Sequence, residues 1–160
     1  MEPRPQSSRL TWLAIALGAG ACALLGSIGA DARWLAALGG TILERGSIPS
    51  GVPYAAAPSV DWVNVPVLGE LVFHALQVVG GDRGFLVAQL IAVTAALTLL
   101  ALGMRALGAS DAASAVVLML VFFAAIPSFI IVRAQLFSLV LFCAALAVMV
   151  TGKPECAVTK

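Results

Sequence analysis

From Ala112 to Val150 the chain carries a single charge, Arg133. Built as one straight helix, that run would exceed about 55 Å at 1.5 Å per residue, nearly twice the hydrocarbon thickness of a bilayer. It must fold back on itself. The break is expected around Pro127–Arg133, where a proline interrupts helical hydrogen bonding and the lone charge seeks water. Two further apolar runs, Leu10–Ile28 and Gly84–Met104, are uncharged and close to the ~20 residues that a membrane crossing takes. Charged residues make up 11% of the chain, against roughly a quarter in soluble domains, so a soluble fold is disfavoured. The expected fold class is all-α. It is an integral membrane domain over 1–160, with four transmembrane helices near 10–28, 84–104, 111–130 and 133–151.

Arg4 and Arg9 precede the first run, Arg105 follows the second, and Lys153 and Lys160 follow the last. By the positive-inside rule these residues place both termini in the cytoplasm of a multi-pass protein of the inner (cytoplasmic) membrane. Arg33, Arg45, Arg83 and Arg133 then lie outside, three of them diluted over a long first extracytoplasmic loop, 29–83. A cleaved signal peptide is the competing reading of the first run, but its apolar core is normally about 7–15 residues and this one is longer. Ala14, Gly18, Cys22 and Gly26 recur every four residues and give one helix face of small side chains, open to close approach by another helix.

The loop holds most of the acids. Asp31, Glu44, Asp61 and Glu70 fall within it, and Asp82 lies at its end. Leu35, Leu38 and Ile42 at helical spacing predict a short helix over 32–45, lying in the interface with Trp34 at headgroup depth and ended by Gly46 and Pro49. After the Pro- and Gly-rich stretch 47–63, a second short helix is expected from Pro66 to Val79, with Asn64 as its N-cap and Glu70, His74 and Gln77 along one polar face. It is too short to span, so it is interfacial or re-entrant.

Several function classes are excluded or disfavoured. A net charge of +1 offers no basic patch for nucleic acid. Cys22 and Cys143 sit in apolar runs, Cys156 lies in a polar tail, and the chain has one histidine, so neither a disulfide framework nor a metal site is expected. No span carries a charge at mid-depth, where transport sites usually sit.

Asp31-Ala-Arg-Trp34, Leu38-Gly39-Gly40, Ile42-Leu-Glu-Arg-Gly-Ser-Ile-Pro49, Trp62-Val-Asn64 and Leu68-Gly-Glu70 follow an order that resembles the first extracytoplasmic loop of bacterial GT-C glycosyltransferases, of the mannosyltransferase and aminoarabinose-transferase type. Arg133-Ala-Gln135-Leu-Phe-Ser138 resembles a second recurrent feature of those proteins. The match covers the layout of the whole chain and is specific only in these short stretches. It departs from the pattern at Val65-Pro66 and at Ser50-Gly51-Val52-Pro53, where comparable proteins often carry acids or a His-Glu pair. The resemblance implies transfer of a sugar from a polyprenyl-phosphate carrier at the outer membrane face, without a cofactor. It implies Asp31 as a general base or acceptor-positioning acid and Glu70 as a second candidate catalytic acid. Arg133 is then a candidate for the carrier phosphate, which a guanidinium matches in a bidentate fork; His74 and Trp62 are further substrate-binding candidates. Such enzymes have about twice as many spans or more, so the resemblance implies either an N-terminal portion of a split or truncated enzyme, with a partner membrane protein supplying further helices, or a module kept for another use.

Plainer roles compete at every position. Asp31 is also the solvated end of the first span, Glu70 and His74 one turn apart suit a mutual ion pair, and Arg133 suits a snorkelling boundary charge. Trp34, Tyr54 and Trp62 suit interface anchors, and Gln89 an interhelical hydrogen bond. The alternative function is a small non-catalytic subunit of a larger membrane complex.

Overall fold

Helices form where the apolar runs lie, and the breaks between them fall at glycine, proline and charge. The computed structural model describes residues 8–51, 53, 56, 58, 59 and 61–152, which are mostly helical. In chain order these are α1 (Arg9–Leu25), β1 (Ser27–Ile28), α2 (Ala30–Arg45), α3 (Val67–Ala106), α4 (Asp111–Ala124), α5 (Ile126–Ile130), β2 (Ile131–Val132) and α6 (Leu136–Thr151). Arg4, Tyr54, Lys153, Cys156 and Lys160 lie outside the described residues.

The 40 residues of α3 do not form one rod. Gly81 adopts φ 55° and ψ −142°, a conformation that residues with a Cβ rarely adopt, and the helix turns there into two arms, 67–80 and 82–106. Gly84 then backs directly onto the Leu76 carbonyl. The turn brings the rings of Phe73 and Phe85 to 5.7 Å, although a straight helix would hold them about 18 Å apart. The two helices expected near 66–79 and 84–104 are therefore both present, joined by a glycine corner instead of a loop.

α1 and α4 lie side by side and parallel, because both of their ends are tied together. At their starts, the Asp111 carboxylate accepts from Leu10 N–H (2.9 Å), Thr11 N–H (3.0 Å) and the Thr11 hydroxyl (2.6 Å), so α4 caps the orphan amides of α1. Beyond their far ends, β1 pairs in parallel with β2, Ser27 opposite Ile131 and Ile28 opposite Val132. The second arm of α3 runs antiparallel between them: Gly18 faces Leu97 and Phe122, while Cys22 lies level with Phe129 and Gln89. α6 follows that arm in the same direction, with Phe137 against Phe73 near its start and Ala147 against Gly103 near its end.

Two buried clusters result. Ile15, Cys22, Val93, Leu97, Leu118 and Phe129 join α1, α3, α4 and α5, and Ala32, Leu35, Phe73, Phe85, Val132 and Leu136 seat α2 and the corner of α3 on α6. The small-residue face is used internally: Ala14, Gly18 and Cys22 are buried in the first cluster, where Gly18 leaves room for Leu97 and Phe122.

Four expectations need correction. α1 stops at Leu25, not Ile28, because the chain goes extended to pair with β2. The apolar run after Asp111 breaks at Ala125, since Pro127 in the first turn of α5 cannot continue the α4 hydrogen-bond ladder. Arg133 precedes α6 instead of opening it; the helix starts at Leu136. Asn64 is not an N-cap: Pro66 holds that place, and the Asn64 side chain turns elsewhere. Among the described residues one helix, α3, is by itself long and apolar enough to cross a membrane; α1, α4 and α6, with 17, 14 and 16 residues, are apolar but shorter.

The Asp111 clamp gives a first test. Asp111→Ala leaves the Leu10 and Thr11 amides without their acceptor, so hydrogen exchange at those two amides should accelerate and the melting temperature should fall. An unchanged exchange rate at both would show that the clamp contributes nothing to the start of α1.

Candidate functional site

Two polar groupings interrupt this apolar framework, and α2 contributes to both. The first lies at the far ends of α1 and α5. β1 and β2 bring residues 27–29 alongside 131–132, and Gly29 N–H donates to the Val132 carbonyl at 3.1 Å, one step beyond the ladder. The next residues on each side carry the charges. Asp31, in the first turn of α2, where the helix dipole favours an anion, has Oδ2 3.4 Å from Arg133 Nε and 3.4 Å from the Ala134 N–H. The pair is partly open to solvent, with 35% of the Asp31 side chain and 50% of the Arg133 side chain exposed. Among the described residues no other carboxylate lies within ion-pair distance of Arg133, whose Nε faces Asp31. Beside it, Arg33 reaches Asp82 at 2.8 Å and ties α2 to the corner of α3.

The second grouping lies along the seam between α2 and the first arm of α3. Gly39 sits directly on the Glu70 carbonyl, and Gly40 faces the His74 ring. Glu70 is fully buried; its Oε2 accepts from Asn64 Nδ2 at 2.6 Å, and its Oε1 has no partner among the described residues. His74 Nδ1 lies 3.1 Å from the Ala36 carbonyl, which can only accept, so this nitrogen carries the proton. The expected Glu70–His74 ion pair is absent: each side chain engages a partner off its own helix. Gln77, the third member of the expected polar face, is exposed.

Trp62 stands on the loop, 62% exposed, beside a shallow cleft of about 480 Å³ that it lines with Pro58, Ser59 and Asp61. It shares no hydrogen bond with either grouping among the described residues. Trp34 is 41% exposed on α2. Of the five candidate site residues, Asp31 and Arg133 are thus brought together, Glu70 and His74 share a seam without touching, and Trp62 stands apart. The same residues form no cluster of three or more metal-ligating side chains.

Sequence reasoning missed the Arg33–Asp82 and Thr11–Asp111 contacts, among others, and left Gln89 without its partners. Arg33–Asp82 had a legible signal, since Arg33 opens one predicted helix and Asp82 lies between two others, but no rule of spacing pairs residues so far apart. Thr11–Asp111 likewise depends on two parallel helices, which only the fold supplies. Gln89, expected as an interhelical hydrogen bond, donates from Nε2 to the carbonyls of Ser128 (3.0 Å) and Phe129 (3.1 Å). Comparison with family models, with curated proteins and with solved structures finds no match for this chain.

Proposed function

We propose that this chain is a multi-pass membrane module of GT-C type that engages a polyprenyl-phosphate sugar at the extracytoplasmic face, with Asp31 and Arg133 as its working pair. The observation that carries the reading is the meeting of these two residues, 102 positions apart in sequence, at one end of two parallel helices. A guanidinium beside a carboxylate suits transfer from a lipid phosphate. Arg133 holds phosphate oxygens in a fork while Asp31 accepts the proton of an incoming hydroxyl. In the resting arrangement Arg133 holds the Asp31 carboxylate in place. A phosphate competing for the guanidinium loosens that contact and leaves the acid to the acceptor.

The membrane setting has separate support. On the first arm of α3 Glu70 is fully buried along with Phe73, whereas Leu68 and Val79 are 77% and 89% exposed and Gln77 is exposed as well. Ionisable residues in membrane segments face the protein interior and apolar ones face lipid. Four crossings follow in this reading: α1, the second arm of α3, α4 with α5, and α6, alternating in direction. α2 and the first arm of α3 lie at the outer interface, and both termini lie in the cytoplasm.

The reading is tested with full-length protein in liposomes by following release of polyprenyl phosphate from a polyprenyl-phosphate sugar. Asp31→Asn keeps the side chain's shape and removes its basicity, and turnover is expected to fall at least about a hundredfold, within the range of general-base effects. Unchanged turnover removes Asp31 from the mechanism.

A second reading, a non-catalytic subunit of a larger membrane complex, draws on an apolar groove of about 440 Å³ between α1 and α4, lined by Leu13, Leu17, Ala115, Met119 and Phe123. Small residues between large ones admit a helix from another chain. Co-migration with a partner on native gels in mild detergent supports this reading, and a clean monomer counts against it.

A further inference from the structure

Three features converge on the end of α5. The helix stops at Ile130 and the chain turns extended, so the Ser128 and Phe129 carbonyls face the interior without amides four residues on to receive. Both carbonyls are met from other helices. Gln89 of α3, 1% exposed, donates from Nε2 to Ser128 O and Phe129 O, and the Cys22 thiol of α1 donates to Phe129 O at 3.1 Å. The Gln89 Oε1 has no hydrogen-bond partner among the described residues. The amide therefore serves here as a donor alone, and the reverse orientation would set its oxygen against two carbonyl oxygens.

We infer that Gln89 is a positioning residue for Arg133. By fixing the carbonyls that end α5, it sets the height and direction at which β2 leaves the helix. β2 carries the chain one residue further, to the guanidinium that meets Asp31. A broken helix at membrane depth is tolerated only where its freed backbone groups find partners inside the protein, and Gln89 supplies most of those partners. An apolar side chain of the same length would leave the Ser128 carbonyl without its donor and the Phe129 carbonyl with the Cys22 thiol alone, and the strand would shift toward whatever donor it could find. The inference rests on the Asp31–Arg133 reading only for its functional meaning; the placement of β2 stands without it.

The test is cysteine cross-linking in full-length protein carrying Cys22→Ser, which keeps a donor, together with Cys143→Ala and Cys156→Ala. One pair, Ser27→Cys with Ile131→Cys, reports the β1–β2 ladder next to Arg133. A control pair, Gly103→Cys with Ala147→Cys, reports α3 against α6 far from Gln89. Gln89→Met is expected to slow oxidation of the ladder pair about tenfold and to leave the control pair within twofold. Gln89→Asn, which keeps the donor on a shorter arm, is expected to fall between Met and the parent. Unchanged ladder cross-linking overturns the inference, and equal slowing of both pairs does so too, because it reveals a general loosening. Since the readout needs no turnover, loss of the transfer reading in the Asp31→Asn assay leaves this result interpretable.

Discussion

Gly39→Val is expected to be the most damaging single substitution in the described structure, costing about 3 kcal/mol or more, at the upper end of overpacking effects. The first atom of any side chain at this position falls on the backbone carbonyl of Glu70, which belongs to a helix and cannot swing aside. α2 must lift away from the first arm of α3, and the His74–Ala36 contact across the seam opens with it. Gly20→Ala is the control: nothing lies within 4 Å of a Cβ there, so alanine should stabilise α1 by about 0.5–1 kcal/mol through its better helix propensity. Thermal unfolding in detergent of the two variants side by side checks both. Equal tolerance at the two positions would mean that α2 and α3 are not in close contact.

Asn64→Ala is expected to cost about 2–3 kcal/mol, more than the hydrogen bond itself is worth, because it strands a buried carboxyl group with no other hydrogen-bond partner among the described residues. Glu70 is fully buried, and Asn64 provides the sole hydrogen bond found to its carboxylate among the described residues. The double variant Asn64→Ala/Glu70→Met should recover most of that loss, since replacing both members of a buried polar pair removes the desolvation cost along with the bond. Chemical denaturation of the two single variants and the double variant closes the cycle. A double variant that is less stable than Asn64→Ala alone would assign Glu70 a partner other than Asn64.

Much of the fold was legible from local pattern. The apolar runs marked α1, the second arm of α3, α4 and α6, and the spacing of Leu35, Leu38 and Ile42 marked α2 together with its end at Gly46, which takes φ 63°. What stayed hidden depended on contacts between distant segments. Two consecutive residues cannot announce a strand, so the pairing of Ser27–Ile28 with Ile131–Val132 was invisible, and with it the reason α1 ends early. Glu70 and His74 illustrate the same limit at the site. Helical spacing put them on one face, but their actual partners were hidden: Asn64 lies in the irregular stretch before α3, and Ala36 is reached only because a glycine pair lets α2 approach closely. Asp31 and Arg133 could each be singled out as a charge beside an apolar run, yet nothing in spacing says that they meet.

The central claim is that the Asp31–Arg133 end of the bundle faces outward, with the turn between α3 and α4 on the cytoplasmic side. The most direct measurement is labelling of single cysteines in intact cells with a membrane-impermeant maleimide. Ser50→Cys, exposed in the loop after α2, and Leu107→Cys, 65% exposed in the turn after α3, are introduced separately on a background free of native cysteines. Position 50 should react in intact cells and position 107 only after permeabilisation. The opposite pattern, or both positions reacting from outside, would contradict the account.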